Sequence, residues 1–264
     1  MSFLEENEDM DIAICGFGRA GKALSKKIMT EGGHNLVAVL CRKNSKNLQM
    51  DVGKELLNQE NGVHILSVDE VASSNEIHID VLIDFSHRDM ATPLIELCGS
   101  RKCNIVICTT NHSVQEINSF QVAAEKYKIG IVYAPNLTIG INLLMDFVGK
   151  VSRVVPEWNF EIIEKHPRDK GRPTATARMI SDVIDKKNNI DIHSVRMNGY
   201  VGVHEVITSD GTERLTVSHE SLSREAFANG ALLAANYITG KKGVHFMKDV
   251  INEIENNAIK KDVN

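Results

Sequence analysis

Five short apolar runs punctuate the first half of the chain, at residues 11–15, 36–40, 79–86, 104–108 and 129–134. Within them apolar positions are nearly continuous, the pattern of strands buried on both faces of a parallel sheet. Helical spacing separates them: Ala23, Leu24, Ile28 and Met29 mark a helix over 22–31, and further helices are expected over 92–100 and 115–126. Residues 48–78 alternate helix-like and strand-like patterns. Repeated βα units joined by right-handed crossovers predict an α/β fold with a Rossmann-type doubly wound parallel sheet.

After Ala134 the pattern changes. A helix over 141–155 is expected to turn Leu143, Leu144, Phe147, Val148 and Val151 inward, and strand-like segments follow at 159–164, 192–196, 200–209 and 213–218. With the turn Ser209-Asp210-Gly211-Thr212 between two of them, they predict a second, α+β domain built on a mixed or antiparallel sheet. Helical spacing returns over 224–239, with Ala228, Ala231, Leu232 and Ala235 as its packing face, and again over 247–255.

Composition narrows the class. With 264 residues, 42% of them apolar, the chain can bury a full core, and a net charge of −5 argues against non-specific nucleic-acid binding. No apolar run nears the ~20 residues of a membrane span, and the acidic start MSFLEENEDMD is unlike a signal peptide. A cytoplasmic protein is expected. Five cysteines without paired spacing, among them Cys15, Cys41 and Cys108, read as reduced core thiols.

The first strand breaks into Gly16-Phe17-Gly18-Arg19-Ala20-Gly21 before a helix. In a dinucleotide fingerprint the first glycine permits the turn, the second lets backbone approach a pyrophosphate, and the third packs helix on strand. At the end of the second strand, where an NAD site has an acid for the ribose hydroxyl, stand Arg42, Lys43 and Lys46. Cations there favour the 2′-phosphate of NADPH, with NADH the second choice. Phe85 and Ser86 follow the third apolar run, and Thr109 and Thr110 the next, at the strand ends where open α/β sheets bind ligands.

The most chemical stretch is EIIEKHPRDKGRPTATA, residues 161–177. A strand runs into a turn carrying His166, Arg168, Asp169 and Lys170, and Thr174-Ala175-Thr176 opens a helix. Such a junction can hold a carboxylate on helix N–H groups beside an acid/base pair. Arg196, ahead of Asn198-Gly199, reads either as a carboxylate contact or as a surface ion pair. The pairs His204-Glu205 and His219-Glu220 look like metal ligands, but neighbours in a strand point to opposite faces, so no metal is assigned.

GFGRAG, DVLIDFS, CTTN, APNLTIGIN, EIIEKH, SVRMNGYVGVHEV and SHESLSREAFANGALLAANYI, in this order, resemble the 4-hydroxy-tetrahydrodipicolinate reductases of lysine and diaminopimelate biosynthesis over roughly residues 11–251. The resemblance implies NAD(P)H-dependent reduction of a cyclic imine dicarboxylate by a homotetramer, with a dinucleotide-binding domain of residues 1–134 completed by helices of 228–264 and a substrate-binding and oligomerisation domain of 135–227. His166 would serve as acid/base and Lys170 as proton donor, with Thr174, Ala175, Thr176, Arg172 and Arg196 around the substrate carboxylates. Cys108, Ala134, Asn136 and Leu137 join the expected cofactor contacts. The chain departs from the family pattern at Pro167, where a second histidine is usual, at the shortened Arg172-Pro173-Thr174-Ala175, and at Asn111. These departures leave two other readings, a paralogue acting on a different cyclic imine and a nucleotide-binding sensor without catalysis.

Overall fold

The computed structural model describes residues 9–74, 76–184 and 190–262. In chain order the elements are β1 (Met10–Cys15), α1 (Arg19–Glu31), β2 (His34–Cys41), α2 (Val52–Leu57), β3 (Ile65–Ser67), α3 (Val68–Ser73), β4 (Val81–Asp84), α4 (Ala91–Arg101), β5 (Asn104–Ile107), α5 (Val114–Tyr127) and β6 (Gly130–Tyr133). There follow α6 (Ile139–Val154), β7 (Asn159–His166), α7 (Ala175–Val183), β8 (Asp191–Arg196), β9 (Gly202–Ser209), β10 (Arg214–Ser221), α8 (Glu225–Ile238), β11 (Gly243–Phe246) and α9 (Met247–Asp262). The chain forms two compact units, one running to Leu137 and resuming at Phe227, the other Thr138–Ala226.

The first unit holds a seven-stranded parallel sheet in the order β11-β6-β5-β4-β1-β2-β3. Alternate residues of one strand feed opposite layers. Ile12 and Ile14 join the layer with Leu24 of α1 and Ala231 of α8, while Ala13 and Cys15 join that of Leu94 and Phe120 from α4 and α5. Both faces are therefore covered, as the unbroken apolar runs require. Order reverses between β1 and β4, so their C-terminal ends flank the crevice where such sheets take ligands. The seventh strand, β11, is absent from the sequence expectation. Its four residues are only partly buried and follow a Gly-Lys-Lys-Gly turn, too short and too polar to show as an apolar run.

The second unit carries a four-stranded sheet, β10-β9-β7-β8, in which β7 pairs parallel to β8 and antiparallel to β9. Phe160, Ile162 and Val206 on one face pack with Ile141, Leu144 and Val148 of α6 and with Ala177 and Ile180 of α7. The inward stripe of α6 corrects the expectation for that helix. Leu144 and Val148 are buried, but Leu143 is 51% and Phe147 46% exposed. Residues 143 and 147 lie one turn apart on a second apolar stripe, and a helix packed on one sheet face can bury only one of the two.

All five cysteines are unpaired, and four of them are buried. No helix among the described residues is long and apolar enough to cross a membrane.

Candidate functional site

In the first unit the expected cofactor residues fall at the C-terminal ends of the parallel strands. Gly16–Gly21 follow β1, Arg42 and Lys43 are exposed after β2, Phe85 and Ser86 follow β4, Cys108–Thr110 follow β5, and Ala134, Asn136 and Leu137 follow β6. The three glycines differ in what surrounds them. Gly16 has φ +102° and sits so close to the Phe85–Ser86 backbone that an added Cβ would lie 2.8 Å from Phe85. At Gly21 a Cβ would fall 1.9 Å from the Gly16 carbonyl, so α1 is packed directly on the turn. At Gly18 nothing lies within 4 Å of a Cβ, and an open space is left over the helix start. Two closed glycines and one open one form a cradle that fits a dinucleotide diphosphate.

Behind this cradle Asp84, at the end of β4, is fully buried. Its Oδ1 accepts from the Ser86 amide at 2.8 Å and from the Ser86 hydroxyl, while Oδ2 has no partner among the described residues. Burial pushes its carboxyl up to about 6, against the opposing Ser86 bonds. The folded protein thus binds a proton more readily than the unfolded chain, and Asp84 subtracts stability as pH rises from its ordinary 3.8 through about 6. Asp84→Asn, which never ionises, should gain roughly 3 kcal/mol on the wild type between about pH 4 and pH 7. Urea unfolding of both proteins across that range reads the difference, and a gap that does not change with pH would contradict the assignment.

In the second unit the strand register gathers the polar groups. Across the sheet Ser194 of β8 lies opposite Glu164 of β7, Glu164 opposite His204 of β9, and His204 opposite His219 of β10. Two residues along β7, His166 lies opposite Arg196. With a period of two, Glu164 and His166 share the face of Phe160 and Ile162, so the apolar row becomes a chemical one at the strand end.

Glu164 is the hub. It is fully buried and accepts from Ser194 Oγ at 2.5 Å, Arg196 Nη2 at 2.6 Å, the Thr174 amide at 3.2 Å and the Thr174 hydroxyl. Burial alone would raise its pKa, but these bonds from Ser194, Thr174 and Arg196 prevail and hold it down to about 2. Arg196 is no surface ion pair: 1% of its side chain is exposed, and it also donates to the carbonyls of Lys170 (3.0 Å), Val195 (3.0 Å) and Gly171. It ties β8 to the turn that carries Lys170. Thr174 caps α7, its hydroxyl accepting from the Ala177 amide at 3.3 Å, and both its own donors go to Glu164. Ala175 and Thr176 begin α7 half-buried, while Lys170 and Arg172 are exposed on the turn before it.

His166 is 7% and His204 4% exposed, and their Nε2 atoms lie 3.3 Å apart. Burial lowers the pKa of His166, opposed by Glu164 and reinforced by Arg196 and Lys170. His204 is pushed down to about 3, first by burial and then by His166. Gly202 leaves room for the His166 ring, for a Cβ there would lie 2.9 Å from its Cε1. Glu164, His166 and His204 have candidate ligand atoms within 4.8 Å of one another. Four donors, however, already fill the roughly four lone-pair positions of the Glu164 carboxylate, one of them a buried guanidinium. In this arrangement Glu164 has no lone pair left over for a cation.

Glu164, Ser194, Gly202 and His204 were not among the expected site residues. A signal existed for Glu164, a lone carboxylate in phase with the buried positions 160 and 162. His204 was set aside as half of an adjacent pair, yet it is in phase with the buried Val206 and Thr208.

Two family models match the chain. One described as dihydrodipicolinate reductase, N-terminus, covers residues 10–137, and one described as dihydrodipicolinate reductase, C-terminus, covers residues 140–251. The chain is 35% identical over 194 residues to the 4-hydroxy-tetrahydrodipicolinate reductase of Caldanaerobacter subterraneus subsp. tengcongensis, covering 65% of this chain and 76% of that protein. It is 28% identical over 256 residues to the reductase of the same name from Clostridium novyi, covering 89% and 94%. Among solved structures it is similar to a dipicolinate-bound dihydrodipicolinate reductase from Paenisporosarcina sp. TG-14, with TM-score 0.72, 24% identity, and 90% and 97% of the two chains covered. An amine dehydrogenase from Mycobacterium smegmatis shares the fold at TM-score 0.70 and 10% identity, covering 92% and 96%.

Proposed function

The chain belongs to the dihydrodipicolinate reductase family, and on that premise we propose that it reduces 4-hydroxy-tetrahydrodipicolinate, a cyclic imine bearing two carboxylates, to tetrahydrodipicolinate. The observation that carries the reading is the end of β7, where His166 lies buried beside the Glu164–Arg196 ion pair and before the N-terminus of α7.

A bound nicotinamide would supply the hydride. What this chain's residues supply is charge and a proton. Lys170 and Arg172 offer exposed cations to a dianion, and the α7 N-terminus adds the positive end of its dipole. Loss of the 4-hydroxyl as water leaves a conjugated imine, and hydride addition to it leaves an enamine-like anion that needs a proton source near neutrality, the role proposed for His166 with Lys170. In the free protein burial, Arg196 and Lys170 disfavour the imidazolium. Two substrate carboxylates beside those cations offset them and favour the protonated ring, so that the substrate itself recruits the acid.

Thr174 is expected at a substrate carboxylate, and in the free protein it is bound to Glu164. Since Glu164 takes both its donors, we assign it to the cap of α7, and the carboxylate contacts to Lys170, Arg172 and the helix start around Ala175 and Thr176. The departures at Pro167 and Ala175 are what the second reading rests on, a paralogue acting on a different cyclic imine or imino acid.

For the cofactor we propose NADPH, held with its diphosphate over Gly18 and its 2′-phosphate by Arg42 and Lys43, both exposed where an NAD site would have an acid. NADPH should bind more tightly than NADH, and Arg42→Ala should shrink the difference. Equal affinities in the wild type, measured by fluorescence titration, would contradict this. The reaction itself is tested by NADPH oxidation with freshly generated dicarboxylate imine. Turnover supports the reductase. Cofactor binding with no oxidation on any cyclic imine would leave a nucleotide-binding protein instead.

A further inference from the structure

The turn between β7 and α7 carries the cations of the site on backbone that has little cover. Arg168, Asp169, Lys170, Gly171 and Arg172 are all exposed. The Lys170 amide donates to the Pro167 carbonyl at 3.2 Å, and the Thr174 amide donates to Glu164 at 3.2 Å. Between these two points the carbonyls of Lys170 and Gly171 both accept from one buried group, the Arg196 guanidinium. A guanidinium carries five N–H groups in a rigid planar fork. Among the described residues four of them have acceptors: Nε–H donates to Lys170 at 3.0 Å, the two hydrogens of Nη2 go to Glu164 at 2.6 Å and to Gly171, and one of Nη1 goes to Val195 at 3.0 Å. A carboxylate gripped by arginine takes two parallel N–H groups, and the remaining Nη1 hydrogen cannot supply them.

We propose that Arg196, in place of a carboxylate contact, is a positioning residue for Lys170: it holds two successive carbonyls of the turn against the end of β8 and so fixes the point from which the Lys170 ammonium reaches the substrate. Glu164 completes the device. It neutralises the guanidinium and, through Thr174, secures the far end of the turn, so that one buried ion pair fixes the backbone from Lys170 to Thr174. The need for it follows from lysine itself. Its ammonium sits on a flexible stem, and loose backbone beneath that stem would multiply the positions the charge samples. A proton donor or carboxylate partner acts only from near its productive geometry. Arginine is required by the layout, because Arg196→Lys keeps a cation for Glu164 but loses the planar fork that spans both carbonyls and the carboxylate.

The kinetic consequence rests on the reductase reading, whereas the hold on the turn is read without substrate. Lys170–Gly171 is itself a trypsin site, and its scissile carbonyl is the one that Arg196 Nε holds. Cleavage of a folded chain follows local opening. In the full chain Arg196→Lys should be cut at this bond about 10-fold or more faster than the wild type, the worth of a charge-assisted hydrogen bond, with cutting at the exposed Lys43–Asn44 bond of the other unit unchanged. Equal rates at Lys170–Gly171 in the two proteins overturn the proposal, whatever the protein turns over. So does wild-type cutting there as fast as in a peptide of residues 164–176, a comparison that needs no variant to fold. In steady state Arg196→Lys should lower kcat/KM for the dicarboxylate imine by about 10-fold, but by less than about twofold in a Lys170→Ala background, where no ammonium is left to position. Equal losses in the two backgrounds would make Arg196 a residue of the fold alone and reject the proposal. Absence of turnover in the wild type would remove the reductase reading, while the trypsin comparison still decides the turn.

Discussion

Glu164→Ala is expected to destabilise the folded protein by about 3–5 kcal/mol, the cost of removing one partner of a buried ion pair. Among the described residues the carboxylate is the anion paired with the Arg196 guanidinium, whose side chain is 1% exposed, and it also receives the Ser194 hydroxyl and both donors of Thr174. Its removal leaves a buried cation and three other donors without their acceptor, and each buried orphan costs a further ~1–3 kcal/mol where water cannot enter. The same bonds give the stability a pH signature. Because the folded pKa is held down to about 2 against an ordinary 4.5, the contribution of Glu164 is complete above pH 4.5 and drains away as pH falls toward 2. Urea unfolding should therefore show wild type and Glu164→Ala converging in acid. A loss under about 1 kcal/mol at neutral pH would mean that the network is solvated and is not the hub of the unit.

His166→Ala should lower kcat by about 10²–10⁴-fold, the range a positioned acid or base contributes. The ring lies between His204 and the space left by Gly202, with both nitrogens inside the protein, so the loss should fall on turnover more than on capture. Substrate affinity should change modestly, since Lys170 and Arg172, both exposed on the neighbouring turn, remain to attract the dianion. Steady-state kinetics with a thermal melt as control separates the effects. A variant with wild-type kcat would make His166 a structural core histidine, whereas loss of the melting transition would show that the ring is needed for packing before catalysis.

The sequence carried most of the parallel sheet because its strands are buried on both faces and leave unbroken apolar runs. β11 escaped because half-burial at a sheet edge and a basic turn erase that signal. The inward stripe of α6 was misjudged since two apolar stripes run along one helix, and only the packed sheet decides between them. Of the candidate site, His166 and Lys170 stand within one local motif, and the structure places the first buried at the end of β7 and the second exposed on the turn after it. Glu164's partners were not, because Ser194, Arg196 and His204 come from two other strands and meet the carboxylate only through β7–β8 and β7–β9 register. Sequence spacing holds the contents of one strand but not its register with the next. Thr174 shows the converse. Its motif position suggested a substrate contact, while its geometry makes it a helix cap bound to Glu164.

The proposed reductase acts on an imine with two carboxylates, despite Pro167 and Ala175. Its most direct test is the ratio of kcat/KM, followed as NADPH oxidation, for the freshly generated dicarboxylate imine and for a ring of the same size with one carboxylate. Loss of one charge-assisted contact of ~3 kcal/mol predicts a preference of about 10²-fold or more for the dicarboxylate. A ratio near one, or a preference for the monocarboxylate, would contradict the assignment and give the site to a different imine.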